Sequence, residues 1–228
     1  MKLFIQIPCF NEEDSIKKTI ESLPQKLDRI TEIQILIIND GSTDSTMEIL
    51  KKIQGIRILN LPIRKGLSNA FSVGKNYCIE NGADIIVNTD ADNQYNANNI
   101  KDLVKPIIMD ESDIVIGARK FHKIKNFSKS KIFLQNLGSK VISLISGNKI
   151  IDATSGFRAF SRDAAISLNI FNNFTYTHET IIQASYNNLR IKSIPVETNI
   201  VERPSRLFKS NIEYIFKSAV VILRVFMI

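Results

Sequence analysis

Residues 84–95 read DIIVNTDADNQY. An apolar run, Ile85-Ile86-Val87, stops at Asn88. Two carboxylates follow with one residue between them, Asp90 and Asp92, and then two amides, Asn93 and Gln94. A short β-branched run of this kind reads as a buried strand. Carboxylates at close quarters repel, and each raises the other's pKa. A cation offsets that repulsion, so a metal ion is one reading of the stretch. A solvated turn is the other, because Asp and Asn favour turns and helix caps.

The chain on either side repeats the pattern. Leu3-Phe4-Ile5-Gln6-Ile7, Ile35-Leu36-Ile37-Ile38, Ile56-Arg57-Ile58-Leu59 and Ile114-Val115-Ile116 are further short strand-like runs. Helical spacings separate them. Ile16, Ile20 and Leu23 repeat behind the acidic helix start at 11–14, and helices are expected over 45–53, 67–80 and 98–108. Strands that are apolar throughout and alternate with helices imply an α/β protein, with a mostly parallel sheet covered on both faces. In such sheets ligands bind at the carboxyl ends of the strands. The polar clusters fall there: Pro8 to Glu12, Asp40 to Asp44, Asn88 to Gln94, and Gly117 to Arg119. Four clusters on one edge favour a site over an isolated turn.

After residue 120 the pattern changes. Residues 121–131 are rich in lysine and read as a loop. Over 132–146, Phe133, Leu137, Val141, Leu144 and Ile145 recur at helical spacing with Lys131 and Lys140 nearby. A soluble-core helix and a membrane-surface helix both account for that face. Residues 152–160, DATSGFRAF, read as a Gly-centred turn between apolar stretches. A helix over 178–188, a strand over 191–196, the basic segment RPSRLFK at 203–209 and an amphipathic helix to the end complete the chain.

The net charge of +7 over 228 residues suits nucleic acid, anionic lipid or phosphorylated substrates. Nucleic acid is set aside, since there is no zinc-finger spacing and no RNA-binding aromatic signature, and the cations are spread along the chain. Cys9 and Cys78 stand in apolar surroundings without metal-ligand spacing, as buried thiols would. The apolar run after Met1-Lys2 ends at Pro8, too short for a signal core, and no run approaches the roughly 18 apolar residues of a spanning helix.

The chemistry concentrates in three places. Asp40, followed by Gly41, can approach a base or ribose closely, while Thr43 or Asp44 can cap the next helix. Asp90 and Asp92 offer oxygen ligands, which suit Mg²⁺ or Mn²⁺, and Gln94 can add a carbonyl. Mg²⁺ usually takes one or two carboxylates and completes its shell with phosphates and water, so the pair suits a metal–diphosphate complex. Arg119, Arg158, Arg203 and Arg206, all in turn-like contexts, are candidates for a further phosphate. There is no Walker loop, no G-x-G-x-x-G and no G-x-S-x-G elbow, and His122 and His178 read as structural.

The order IPCFNEE, INDGSTD, RKGLSNA, NTDADNQY, IGARK, DATSGFRAF, RPSRLF resembles family 2 glycosyltransferases of the GT-A fold, and more narrowly their dolichyl- and polyprenyl-phosphate hexosyltransferase branch. The likeness runs from Ile7 to about Arg224. It implies a GT-A catalytic domain over 1–208 and a membrane-proximal helix over 209–228, where relatives often continue into spanning helices. It implies a nucleotide-sugar donor, UDP- or GDP-linked, held by Pro8, Phe10, Glu12, Ile38, Asp40, Asp90 and Ala91. Phe10 replaces the usual Tyr, and Asn39 stands where many members have an Asp. The D-x-D is Asp90-Ala91-Asp92, with Gln94 completing a Mg²⁺ or Mn²⁺ shell. Asp92, Arg119, Arg203 and Arg206 are the implied catalytic residues, the arginines facing phosphates. The 203–209 loop lacks the family's glycine and is shorter, which leaves the roles of Arg203, Arg206 and Lys209 open. The implied reaction is inverting transfer of a hexose to a polyprenyl phosphate at the cytoplasmic face of a membrane, with a homo-oligomer left open. Two rivals stand beside it. One is transfer to a sugar hydroxyl, with Glu179 or Asp152 as base. The other is a donor-binding scaffold without turnover. The absence of tryptophan removes the Q-x-x-R-W signature of processive synthases.

Overall fold

The alternating runs form one seven-stranded sheet. The structure, a computed structural model, describes residues 1–121, 129–172, 174–199 and 211–226, the last helix by its backbone alone at 211–216 and 225–226. In chain order the elements are β1 (Lys2–Cys9), α1 (Ile16–Glu21), β2 (Glu32–Asp40), α2 (Thr46–Lys51), β3 (Ile56–Leu61), α3 (Leu67–Glu80) and β4 (Ile85–Asn88). A 3-10 turn (Ala97–Asn99) then leads into α4 (Ile100–Ile108) and β5 (Ile114–Arg119). The second part holds α5 (Lys129–Ser146), β6 (Arg158–Ser161), α6 (Arg162–Ser167), α7 (Tyr176–Tyr186), β7 (Ile191–Val196) and α8 (Asn211–Phe226).

The strand order is β3-β2-β1-β4-β6-β5-β7. All pairings are parallel except those of β6, which runs antiparallel between β4 and β5. The period-two geometry of a strand divides β1 between two cores. Leu3, Ile5 and Ile7 pack with Ile16, Ile20, Leu50, Leu103 and Val104 from α1, α2 and α4. Phe4 points the other way, among Ala70, Phe71 and Cys78 of α3 and Ile181 and Ile182 of α7. Both faces are covered, which is why the strands read as unbroken apolar runs. Cys9 and Cys78 are free and buried, and burial pushes the Cys9 thiol up to about 12.

One expectation changes. Residues 152–160 are not only a turn, since 158–161 form a central strand of the sheet. Its sequence, RAFS, is four residues long and opens on a charge, so no local pattern marks it. Pairing with Asn88 on one side and Ile116 on the other makes it a strand. Helix α6 was also unmarked, although the Ser161 side chain caps it by accepting from Ala164 N. The boundary expected near 208 lies outside the described residues.

The apolar face of α5 also resolves. Gln135, Ser139, Ile142 and Ser146 point inward, while Phe133 (66% exposed), Leu137, Val141 and Leu144 (86%) point out. The expected apolar face is therefore split, with Ile145 packed against the core beside Ile142 and the other four residues facing out. In α8, Ser218 and Val221 are buried, whereas Val220 and Leu223 face solvent beside the exposed Arg224. Among the described residues no helix is long and apolar enough to cross a membrane.

Candidate active site

The carboxyl ends of β1, β2, β4 and β5 lie on one sheet edge, and antiparallel β6 brings its preceding turn, 152–157, to the same edge. Hydrogen bonds stitch the four clusters together. Asn11, in the left-handed region (φ 54), donates its N–H to Ser42 Oγ at 3.0 Å, and its Oδ1 accepts from Thr43 N at 2.8 Å. Glu12 N donates to Thr46 Oγ1 at 2.8 Å. The N-cap of α2 is Ser45, without a side-chain cap bond, rather than Thr43 or Asp44; Asp44 Oδ1 instead accepts from Thr46 N at 3.0 Å, just ahead of the helix.

Asp40 closes β2 almost fully buried, and its two oxygens accept the N–H groups of Lys65 and Gly66, both at 2.8 Å. It thereby folds the 62–66 loop over Gly41. At Gly41 (φ +69) a Cβ would stand 2.7 Å from Arg64 N, so only glycine lets the loop approach. The Arg64 guanidinium then lies 3.9 Å over the Phe10 ring. Pro8 and Ile38 are paired neighbours in β1 and β2. The Ile38 side chain is spent in the core, so at this edge the residue offers only its backbone. Asn39 is buried and donates to Asn60 Oδ1 at 2.7 Å.

Asp90 and Asp92 are both half-buried, on either side of the buried Ala91. Ser15 Oγ and Thr19 Oγ1 each lie 2.9 Å from the Ala91 carbonyl, and Ser15 Oγ is also 2.9 Å from Glu12 Oε2. Glu12 therefore reaches the acidic loop through a serine of the α1 start. Asp92 Oδ1 accepts from Gln94 N at 3.1 Å, with Asn93 left-handed between them (φ 56). Gly156 lies against Asp90, where a Cβ would come 3.0 Å from Asp90 Oδ1 and 3.1 Å from the Tyr176 hydroxyl. That glycine keeps the carboxylate approachable. Among the described residues no three His, Cys, Asp or Glu side chains cluster as a complete metal cage. Two half-buried carboxylates, with no third described His, Cys, Asp or Glu grouped with them, fit an ion that completes its shell with phosphate and water.

Arg119 ends β5 and turns toward the acidic loop. Its Nε and Nη2 grip Asp152 at 2.7 and 3.1 Å, Nη2 also donates to Thr154 Oγ1 at 2.6 Å, and Nη1 lies 3.5 Å from Gln94 Oε1. The Arg119 side chain is 10% exposed and Asp152 is fully buried. Burial opposes the Arg119 charge, but the Asp152 carboxylate outweighs it and holds the guanidinium above its ordinary value. Burial likewise opposes the Asp152 charge, and Arg119 holds that carboxyl below the usual range. Gln94, expected on the metal, presents its carbonyl to Arg119 here. Thr154 Oγ1 continues to Gln135 Oε1 of α5 at 2.8 Å.

Arg158 does not reach the open edge. It is fully buried beneath the 152–157 turn, so the structure removes it from the phosphate candidates. Burial pushes its guanidinium down to about 10. Arg203, Arg206, Lys209 and His122 lie outside the described residues. The segment leading toward the first two is fixed, since Asn199 N donates to Gln94 O at 2.7 Å and Asn199 Nδ2 to Asn93 O at 2.9 Å. His178 is buried in α7, and burial lowers it to about 4, in keeping with a structural role.

The partnership of Asp152 with Arg119, the Ser15–Thr19 clamp and the Arg64–Phe10 stack escape a reading of the sequence, because each joins segments distant along the chain. In the sequence, Asp152 stands out only as a possible base for a sugar hydroxyl, and 152–160 only as a turn and as part of the family resemblance.

A mostly parallel sheet with an inserted antiparallel strand, and a D-x-D just beyond the end of β4, match a GT-A glycosyltransferase fold. Residues 4–168 match the family described as Glycosyl transferase family 2. The UDP-N-acetylglucosamine–dolichyl-phosphate N-acetylglucosaminyltransferase of Methanococcus voltae is 30% identical over 222 residues, covering 88% of this chain and 86% of that one. The undecaprenyl-phosphate mannosyltransferase of Micrococcus luteus is 26% identical over 211 residues, covering 89% and 85%. The glucosyl-3-phosphoglycerate synthase from Mycobacterium tuberculosis, solved with Mn²⁺, UDP and glucosyl-3-phosphoglycerate, superposes with a TM-score of 0.73 at 18% identity, covering 99% of this chain and 78% of that one. That likeness shows the fold alone. The chain belongs to glycosyltransferase family 2, within its dolichyl- and polyprenyl-phosphate hexosyltransferase branch. It is a nucleotide-sugar-dependent glycosyltransferase.

Proposed function

We propose that the protein transfers a hexose from a UDP- or GDP-sugar to a polyprenyl phosphate, with inversion at the anomeric carbon. The observation that carries this reading is the state of the two carboxylates that a hydroxyl acceptor would need. Asp152 is buried and bound to Arg119. Glu179 is buried, and its oxygens accept from Phe171 N at 2.9 Å and from the Asn172 side chain. Burial raises the Glu179 pKa, but the carboxyl is turned into the 171–172 loop. A lipid phosphate is already anionic and needs no strong base, so a site with both carboxylates committed elsewhere suits it.

The residues then divide by role. Phe10, Glu12 and the Asp40-organised loop border the nucleotide, and Pro8, Ile38 and Ala91 offer backbone there. Asp90 and Asp92 hold Mg²⁺ or Mn²⁺ on the diphosphate. The ion supplies charge neutralisation for the leaving nucleoside diphosphate. Arg119, fixed by Asp152, orients phosphate through Nη1, the nitrogen that Asp152 and Thr154 leave available. Arg203 and Arg206, a few residues beyond Asn199, complete the acceptor side. The test offers labelled nucleotide sugar with either polyprenyl phosphate or a free sugar acceptor. Metal-dependent transfer of label into the organic phase is expected, and label only in a water-soluble glycan would overturn the acceptor assignment. Donor binding with no turnover would leave the scaffold reading.

A polyprenyl acceptor stays in the bilayer, at about 0.8 kcal/mol per CH₂ exposed, so the enzyme meets it at the surface. The outward face of α5 suits that contact. Phe133, Leu137, Val141 and Leu144 line it, with exposed Lys129 and Lys140 at its margin, and Val220 and Leu223 add apolar surface from α8. Flotation with anionic vesicles should show salt-sensitive binding. Leu137→Glu with Leu144→Glu removes about 3 kcal/mol of apolar contact or more, weakening partition by about 100-fold. Unchanged flotation of that variant would take α5 off the membrane, leaving the 209–228 helix as the contact.

A further inference from the structure

The 152–156 turn touches both halves of the site. Asp152 and Thr154 hold Arg119 on the phosphate-facing side, and Gly156 lies against Asp90 on the metal side. Turns at a sheet edge are usually mobile, because few of their polar groups have fixed partners. This one is secured from below by Arg158. That guanidinium donates through Nε to Ser155 O at 2.8 Å and through Nη2 to Ala153 O at 2.9 Å, both on the turn. Through Nη1 it donates to Thr177 O and Thr180 Oγ1, both at 2.8 Å, on the first turns of α7. Among the described residues it makes no ion pair, and all four acceptors are neutral. A fully buried guanidinium without a carboxylate is costly compared with an apolar side chain. A packing role alone gives no reason for it. What arginine supplies, and neither lysine nor methionine can, is a rigid fork whose donors diverge to two segments at fixed angles. The turn is held from the other side too. Tyr95 Oη accepts from Gly156 N at 3.3 Å, and Asn88 Nδ2 donates to Gly156 O at 2.9 Å and to the Tyr176 hydroxyl at 2.8 Å.

We infer that Arg158 is a positioning residue of the transfer reaction: it locks the 152–156 turn to α7, so that Asp152 presents Arg119 to phosphate while Gly156 keeps the approach to Asp90 open. The inference rests on the proposed roles of Arg119 and Asp90, and it separates from them in the test because two readouts need no turnover.

The experiment compares wild type with Arg158→Lys, which keeps the charge and loses the fork. The first readout is the Nε–H resonance of Arg119, which reports its bond to Asp152 and is assigned by its loss in Arg119→Lys. The second is Mn²⁺ affinity, from the electron paramagnetic resonance signal of the free ion. In Arg158→Lys the Arg119 resonance should shift or broaden and Mn²⁺ binding should weaken about threefold or more, while backbone signals of β1 to β3 stay in place. In the transfer assay, Arg158→Lys and Asp152→Asn should each lower kcat/KM for the lipid acceptor by about tenfold. Together they should lower it by little more than either alone, since members of one network are not additive. Thr180→Val removes one acceptor of Nη1 and gives a weaker form of the same result if Arg158→Lys does not fold. A variant that melts earlier yet keeps the Arg119 resonance and wild-type Mn²⁺ affinity would make Arg158 a stability residue only, and overturn the inference. If the resonance and the ion affinity change but no lipid phosphate accepts sugar, the positioning role stands and the acceptor assignment falls.

Discussion

Asp92→Asn lowers the rate of sugar transfer by about 10²–10³ and leaves the protein folded. The fold should survive because Asp92 is half-buried in a loop, and an asparagine carbonyl can accept the Gln94 N–H that Oδ1 accepts at 3.1 Å. In the proposed reaction, what disappears is a negative charge beside the divalent ion that Asp90 and Asp92 would hold, where the leaving diphosphate develops its own charge. That interaction strengthens toward the transition state, so the loss falls on kcat. Chelation of the wild type should give a deficit of similar size, and excess Mn²⁺ should restore part of the rate to Asp92→Asn. Single-turnover transfer with the labelled donor measures it. Activity that ignores both chelation and the Asp92 substitution would remove the metal from the site.

Arg119→Ala should damage both stability and transfer, and the two effects can be separated. Removing the guanidinium leaves the Asp152 carboxylate fully buried and without a counter-charge, its remaining described donors being the Arg119 and Thr154 backbone N–H groups and the Thr154 hydroxyl. Breaking one side of such a buried pair costs about 3–5 kcal/mol of folding stability. Replacing both partners avoids the orphaned charge, so Arg119→Met with Asp152→Asn should recover much of that loss in a urea denaturation. It should not recover transfer. Without Nη1 the acceptor phosphate lacks its positioning donor, and kcat/KM for the lipid should stay down by about 100-fold or more while donor binding changes little. An active double variant would show that Arg119 serves only the fold. If Glu179→Gln abolished transfer while the Arg119 variants remained active, the sugar-hydroxyl reading would take over.

Much of this was legible in the chain. The runs at 3–7, 35–38, 56–59, 85–87 and 114–116 announce buried parallel strands, because a strand covered on both faces has no polar side to interrupt it. The polar residues that end those runs mark one sheet edge, since ligands meet such sheets at the carboxyl ends. Asp90 and Asp92 stood out because two carboxylates at a strand end ask for a cation. These signals are local, and composition and spacing carry them.

The tertiary structure decided the rest, and each case is one of long-range pairing. Residues 158–161 become a central strand only because β4 and β5 close on them from both sides. Arg158 and Arg119 look alike in sequence, each two residues after a glycine. Arg158 is enclosed under α7 and bonded to neutral oxygens, whereas Arg119 reaches the acidic loop against Asp152. The hydropathy of α5 allowed two orientations. Its docking turns Gln135 and Ser139 inward, where Thr154 Oγ1 bonds Gln135 and Ala153 N bonds the Ser139 hydroxyl, and that leaves Phe133, Leu137, Val141 and Leu144 facing out. A sequence fixes which groups a helix or turn carries, but which way each one faces depends on contacts with segments tens of residues away.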